Sequence, residues 1–504
     1  MSDPRTPDLE RVILTGLLET GAPLHIGSGF DDPAPADDPD TDRSAIIAVC
    51  RDATARPYLP ASTLRGLLRR HAPPDGACAA RLFGYARQAV PKGSPTATAD
   101  IGRAGALRVY DARVAGDAPV TLATDTRIAI DPITRTARDR HLFTEQWVPQ
   151  QTRFHCRFEL DRIDQADLDA FLTMLQAAFD GGPDNGLGAG RSRMHGRLHW
   201  TKDGLRLRTL SRDDYLLWLW ANAPLDRFYQ ERNVAIVTPE PLPSQFGATS
   251  TATPDRAGLT LRFGLCPQSP LLCSGTIPKK GWKTGKHGPD RMFLTADGKV
   301  LVPASSLKGA LRSHCRRILL TMFDARRPDG ALTDGRIADR LLARIFGTTE
   351  TMASLYVGDA SGPWQASDEH PQFFNAIDRF TGGTADQRLY QVKAVIPRRL
   401  DWTVFLKPSL LQTEWALGLL VYTLRDAMEG DLRIGWGAAR GYGAFRLVWL
   451  RERDDDLDDW ALLLERLDNG GLSVTKDQVH RWLTALDTEL DRQLATVEVK
   501  EPNP

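Results

Sequence analysis

Apolar and polar or small positions alternate in part over residues 11–18 (Arg-Val-Ile-Leu-Thr-Gly-Leu-Leu) and again over 259–265 (Leu-Thr-Leu-Arg-Phe-Gly-Leu). Each stretch predicts an opening β-strand, and each is followed by a loop rich in Gly, Pro and charge. The period then changes. Leu64, Leu67 and Leu68 recur at helical spacing, as do Leu307, Ala310 and Leu311, so each loop feeds an amphipathic helix with Ser62 or Thr63 at the N-cap position. Second helices are predicted over 165–179 and 412–428, each leading into a glycine-rich segment and a final strand. The order strand, helix, strands, helix, strand predicts an α+β fold: a ferredoxin-like sheet with its helices on one face, formed twice.

The repetition extends to the letters. Pro60-Ala-Ser-Thr-Leu-Arg-Gly-Leu-Leu-Arg69 matches Pro303-Ala-Ser-Ser-Leu-Lys-Gly-Ala-Leu-Arg312, and further landmarks follow in order. Leu107-Arg-Val-Tyr-Asp-Ala112 matches Leu355-Tyr-Val-Gly-Asp-Ala360, and the Ile-Asp segments begin at Ile130 and Ile377. Val148-Pro149 matches Ile396-Pro397, and Gly188-Ala-Gly-Arg191 matches Gly437-Ala-Ala-Arg440. Chance similarity does not hold a nearly constant offset across most of each half, so the chain is an internal duplication. A first domain is placed at 1–235 and a Pro-, Ser- and Thr-rich linker at 236–256. A second domain follows at 257–450, then an acidic and helical extension at 451–504, with helices expected over 460–467 and 476–494.

At 504 residues the chain is long enough to bury two cores. Its six cysteines form no CxxC pair, so neither structural zinc nor a disulfide framework is indicated, and a reducing cytoplasm is the expected compartment. The N-terminus lacks the layout of a signal peptide, and the longest apolar stretch is too short to cross a bilayer. Basic and acidic residues balance at 64 each, which argues against a generic polyanion binder. Their placement is uneven. Lys279, Lys280, Lys283, Lys286 and Arg291 share one glycine-rich loop, and Arg65, Arg69, Lys308 and Arg312 ride the repeated phrases, so a neutral total leaves room for a basic groove.

Gly66 and Gly309 fall inside predicted helices, where Gly costs about 1 kcal/mol relative to Ala. The same cost at matching places has two readings: close packing on the protein's own sheet, or approach of a ligand to the helix. The hydroxyls of Ser62, Thr63, Ser305 and Ser306 beside basic residues at a helix N-terminus favour a phosphate seat. The glycine-rich segments 186–193 and 435–443 would let a sugar-phosphate backbone pass close to Gly188, Gly437 and Gly441, with Arg191, Arg193 or Arg440 supplying charge. They do not match a dinucleotide fingerprint, and Gly285-Lys286-His287 lacks the hydroxyl of a P-loop.

The repeated Pro-x-Ser phrase, Leu24-His-Ile-Gly-Ser-Gly29, the Ile-Asp-Arg-x-Thr-Gly-x-x-Ala segment and the late Gly/Arg loop together resemble the RAMP superfamily of CRISPR-associated proteins. More narrowly they resemble the backbone subunits of type III effector complexes, here two in one polypeptide. The resemblance covers roughly residues 10–200 and 257–449. It implies two tandem RRM-like domains that assemble along a CRISPR guide RNA in antiviral defence, beside other effector subunits including the large subunit. It also implies thumb-like hairpin insertions, at about 125–148 and 374–396, that kink guide and target RNA. Many such subunits cut the target beside each kink with Mg2+ or another divalent metal and an Asp before the Pro-x-Ser phrase, the neighbouring 2′-hydroxyl attacking the phosphate.

Asp42 and Asp290 fit that Asp, because each precedes an apolar strand-like stretch. A solvated acidic loop is the plain alternative for Asp42, and a surface ion pair for Asp290. Two further readings stay open: a non-catalytic guide-RNA scaffold, and a guide-processing endoribonuclease using His25 as general acid or base, with Cys273 at the comparable place in the second half.

Overall fold

The computed structural model describes residues 8–32, 46–73, 76–85, 102–131, 134, 136–234, 258–273, 289, 291–327, 335–384, 390–449 and 476–498. Asp42, Asp290, the lysines of the 279–286 loop and the expected 460–467 helix lie outside them. The chain divides into two compact units. One takes in Met1–Ala129, Asp139–Arg191 and His195–Pro241; the other takes in Ile130–Arg138, Ser192–Met194 and Leu242–Pro504.

The first unit is built on β1 (Leu9–Thr20), whose burial pattern follows its apolar residues. After it come β2 (Gly27–Asp32), β3 (Ile46–Val49), α1 (Ala61–Arg70), α2 (Ala77–Phe83), β4 (Leu107–Val109) and β5 (Ala112–Val114). A long hairpin of β6 (Ala123–Ile130) and β7 (Ala137–Trp147) leads to β8 (Arg153–Ile163), α3 (Gln165–Ala178) and β9 (Leu198–Ser211). In the main sheet β9, β1, β8 and β5 are successive neighbours, with β4 also on β8. Counting β4 and β5 as one interrupted strand, that is the ferredoxin-like order 4-1-3-2. Leu64, Leu67 and Leu68 of α1 are buried in one cluster with Leu168, Phe171 and Leu175 of α3 and Leu14, Phe154 and Phe158 of the sheet. The unit continues past its fourth strand into α4 (Arg212–Trp220) and the edge strand β10 (Gln230–Val234), which pairs with β9.

The second unit repeats the plan. β11 (Leu259–Pro267), β12 (Leu294–Ala296), β13 (Lys299–Val302), α5 (Ala304–Asp324), α6 (Gly335–Phe346) and β14 (Leu355–Gly362) precede a hairpin of β15 (Glu369–Phe374) and β16 (Tyr390–Val395). Then come β17 (Leu400–Leu406), α7 (Glu414–Glu429), β18 (Phe445–Trp449) and α8 (Lys476–Glu498). The sheet order β12-β13-β14-β17-β11-β18 contains the same 2-3-1-4 run. The molecule is therefore α+β, with two tandem ferredoxin-like domains.

Both hairpins fall where the resemblance puts thumbs, but the second begins earlier, at Glu369 rather than Phe374. Both tips are closed by an aspartate. Asp131 Oδ1 accepts from the Thr134 amide at 2.9 Å, and Asp378 Oδ1 accepts from the Phe380 and Thr381 amides at 2.8 Å each. That bonding accounts for the repeated Ile-Asp segment as turn chemistry. The C-terminal helix is no loose tail: Leu486 and Leu490 are fully buried in the second core.

Candidate functional site

The repeated phrases become the first turns of α1 and α5, though not with the expected cap. Pro60 and Pro303 are the N-cap residues, in extended conformation and without a side-chain bond, because the helices begin one residue before Ser62 and Ser305. The first free amide is met from elsewhere in the chain. Asp111 Oδ1 accepts from Ala61 N–H at 2.7 Å, and Asp359 Oδ1 accepts from Ala304 N–H at 2.6 Å. Both aspartates belong to the second strand of their ferredoxin motif, so a carboxylate already sits at the helix N-terminus and would repel a phosphate placed there. This corrects the expected seat.

The helix flank is open instead. Ser62, Gly66 and Arg69 stand at i, i+4 and i+7 and are all exposed. Ser305, Gly309 and Arg312 repeat the stripe, with Gly309 exposed and the other two partly so. A Cβ added at Gly66 or Gly309 would meet no atom of another element within 4 Å among the described residues. Among the described residues, then, close packing on the protein's own sheet does not account for these glycines.

Other residues of the phrase face inward. Arg65 donates through its two Nη atoms to the carbonyls of Leu107 and Phe83, each at 2.7 Å, and lies 5.4 Å from the Phe83 ring, so it ties α1 to its own unit. Lys308 donates to Ser192 Oγ at 2.7 Å within the second unit. Burial lowers its ammonium to about 8, with repulsion from Arg193 and Arg312 adding to the effect. Ser306 bonds to the thiol of buried Cys273, whose pKa burial pushes up to about 12. Thr63 is partly buried. Arg65 and Lys308, both expected at the RNA, are held by the fold.

The glycine-rich segments are cross-braced loops. Leu187 N–H donates to Gly196 O at 2.9 Å and Gly196 N–H to Pro23 O at 2.8 Å; Ile434, Gly443 and Pro270 repeat the pair at 3.0 and 2.9 Å. Ala189 N–H bonds to His25 O and Trp436 N–H to Leu272 O, both at 2.8 Å. These bonds align Gly188 with Gly435 and Arg193 with Arg440, shifting the sequence pairing of Arg191 with Arg440 by two residues. Gly188 has φ +74° and a Cβ there would lie 2.0 Å from His25 O, so the protein's own backbone fills the space expected for RNA. Gly437 (φ +81°) is crowded at 3.3 Å by Tyr442, whereas Gly441 (φ +84°) has nothing within 4 Å. Arg191 and Arg193 are half-buried, and Arg440 is exposed.

His25 is 3% exposed, and its Nδ1 lies 2.6 Å from Gln146 O. Its counterpart is Leu272 rather than Cys273, as the equivalent bonds to Ala189 and Trp436 require. A ring so enclosed is poorly placed as a general acid.

The strand after each candidate aspartate runs parallel to a hairpin strand, Ile47 opposite Glu145 and Arg291 opposite Val392. Asp290 immediately precedes Arg291, whereas Asp42 lies five positions before Ile47, so the two aspartates are not at equivalent places. Among the described residues the acidic group compact enough to hold a metal is Asp426, Glu429 and Asp431. It does not fit a hard divalent cation. Asp426 bonds to His314 Nε2 at 2.7 Å and to Arg425, leaving it little capacity for a metal. None of the described helices is long and apolar enough to cross a membrane.

No curated protein matches the chain. The RAMP superfamily model matches residues 17–199 and 269–446, one match in each unit and together more than half of the sequence. Two ferredoxin-like units, each with a glycine-opened helix and a braced glycine loop, agree with that match, and the chain belongs to the RAMP superfamily of CRISPR-associated RNA-binding modules, carrying the module twice.

Proposed function

We propose that this protein is a guide-RNA-binding backbone subunit of a type III CRISPR effector complex, acting in the cytoplasm beside other subunits including the large subunit. Each module lays guide RNA along its phrase helix, contacting Ser62, Gly66 and Arg69 in one and Ser305, Gly309 and Arg312 in the other. Arg193, Arg440 and Gly441 border the path, and the hairpins β6–β7 and β15–β16 kink the guide–target duplex. The observation that carries this reading is the pair of helical glycines with open space where a side chain would be. Two helices that each accept the cost of glycine, with no neighbour to accommodate among the described residues, keep their flanks clear for a partner's backbone.

Target RNA is cut beside each kink with Asp42 and Asp290 as the carboxylates, which with RNA phosphates would hold a divalent metal; that metal would neutralise charge at the scissile phosphate. The enclosure of His25 disfavours guide processing by that residue. The test uses the assembled complex with guide and complementary target. Asp42→Ala and Asp290→Ala should each remove one cleavage product without weakening target binding, and chelation of divalent metal should remove both. If both variants cut at every site, the assignment falls; if the wild type never cuts, the protein is a non-catalytic scaffold.

A further inference from the structure

The second unit holds an aromatic cluster that the first unit repeats only in part. Phe374 ends β15, Tyr390 opens β16, and Trp436 and Tyr442 belong to the glycine-rich loop. Phe374 and Tyr390 stack at 5.5 Å and 21°, while Phe374–Trp436 and Trp436–Tyr442 meet edge to face at 5.4 Å. Arg440 lies on this surface. Its guanidinium carbon is 4.9 Å from the Phe374 centroid, 5.0 Å from Trp436 and 5.9 Å from Tyr390, and it donates to the Tyr390 hydroxyl. By the loop and hairpin register, Arg127 stands for Phe374, Phe143 for Tyr390, Ala189 for Trp436 and His195 for Tyr442 in the first unit.

A simple phosphate contact needs a charge, and an exposed lysine would serve. Three rings around a guanidinium do something else: together with the bond to the Tyr390 hydroxyl they restrain its position, while Arg440 stays exposed, so a weakly hydrated plane is open to a partner. Unpaired bases of RNA are bound by stacking on such planes. We propose that Arg440, packed against Phe374 and Trp436, is a stacking platform for one unpaired nucleobase in the second module. The inference rests on the RNA-binding reading above and adds to it a contact with a base rather than with the backbone.

The experiment uses the full chain and two probes of equal length and charge, an oligoadenylate and its abasic analogue. Wild type should bind the oligoadenylate about tenfold more tightly. Arg440→Lys, which keeps the charge and loses the plane, should bring the ratio of the two affinities to about one, whatever it does to both; Trp436→Leu should act in the same direction. Independently of any variant, 2-aminopurine in the oligonucleotide should lose fluorescence on binding wild type. A preference that survives Arg440→Lys, or fluorescence that does not change, overturns the stacking platform and leaves RNA binding standing. Binding of neither probe overturns both.

Discussion

Glycines that look alike in the sequence have opposite meanings at the residue scale. Gly66 and Gly309 sit in helical conformation, and among the described residues a methyl group at either meets no other element. Gly66→Ala and Gly309→Ala should therefore each raise stability by up to about 1 kcal/mol, read as a higher midpoint in denaturant, because helix propensity improves at no steric cost. The same variants should weaken RNA binding severalfold. Gly188→Ala is the contrasting control: φ +74° and the His25 carbonyl 2.0 Å from the new Cβ predict a loss of roughly 3 kcal/mol. Should Gly66→Ala and Gly309→Ala stabilise the protein and leave RNA affinity untouched, the open flank of the phrase helix is not where RNA lies.

Among elements, what could be read in advance was what local periodicity records. The opening strands, the phrase helices, α3, α7 and the duplicated order all follow from spacings within about a dozen residues. The caps do not. Ala61 is held by Asp111 and Ala304 by Asp359, partners some fifty residues away that no local pattern marks as caps. The glycine loops were aligned by their common letters, yet their register is set by bonds to Pro23 and Pro270 across the fold. α4 and β10 follow the last shared strand of the first unit and have no counterpart in the pattern that predicted the rest. The last helix was foreseen from its period but not its attachment, which depends on Gly418 of α7. A Cβ at Gly418 would lie 2.4 Å from Trp482 O and 3.2 Å from Leu486 Cβ, so bare backbone is what lets α8 dock. Gly418→Val should push α8 away and cost about 2 kcal/mol, measured as a lower denaturation midpoint together with faster amide exchange in 476–498. Unchanged exchange there would mean that α8 docks without this contact.

For the whole molecule, duplication matters only if both modules hold the same RNA, since two linked sites convert the second contact into an intramolecular event. An aspartate beside each glycine adds bulk and repels phosphate, and its Cβ would meet no other element among the described residues, which makes Gly66→Asp and Gly309→Asp a matched pair of lesions. On a long single-stranded RNA, each should weaken binding by about tenfold or more, and the double variant by about the product, because the two sites are distinct yet joined by one ligand. On an RNA too short to reach both modules, either single variant leaves one site intact, so affinity should fall by no more than about twofold, and only the double variant should lose binding. The comparison separates the tandem reading from its simplest competitor. If one module carried RNA and the other served only as protein scaffold, one single variant would already match the double on both RNAs, and the second glycine would need a different explanation from the first.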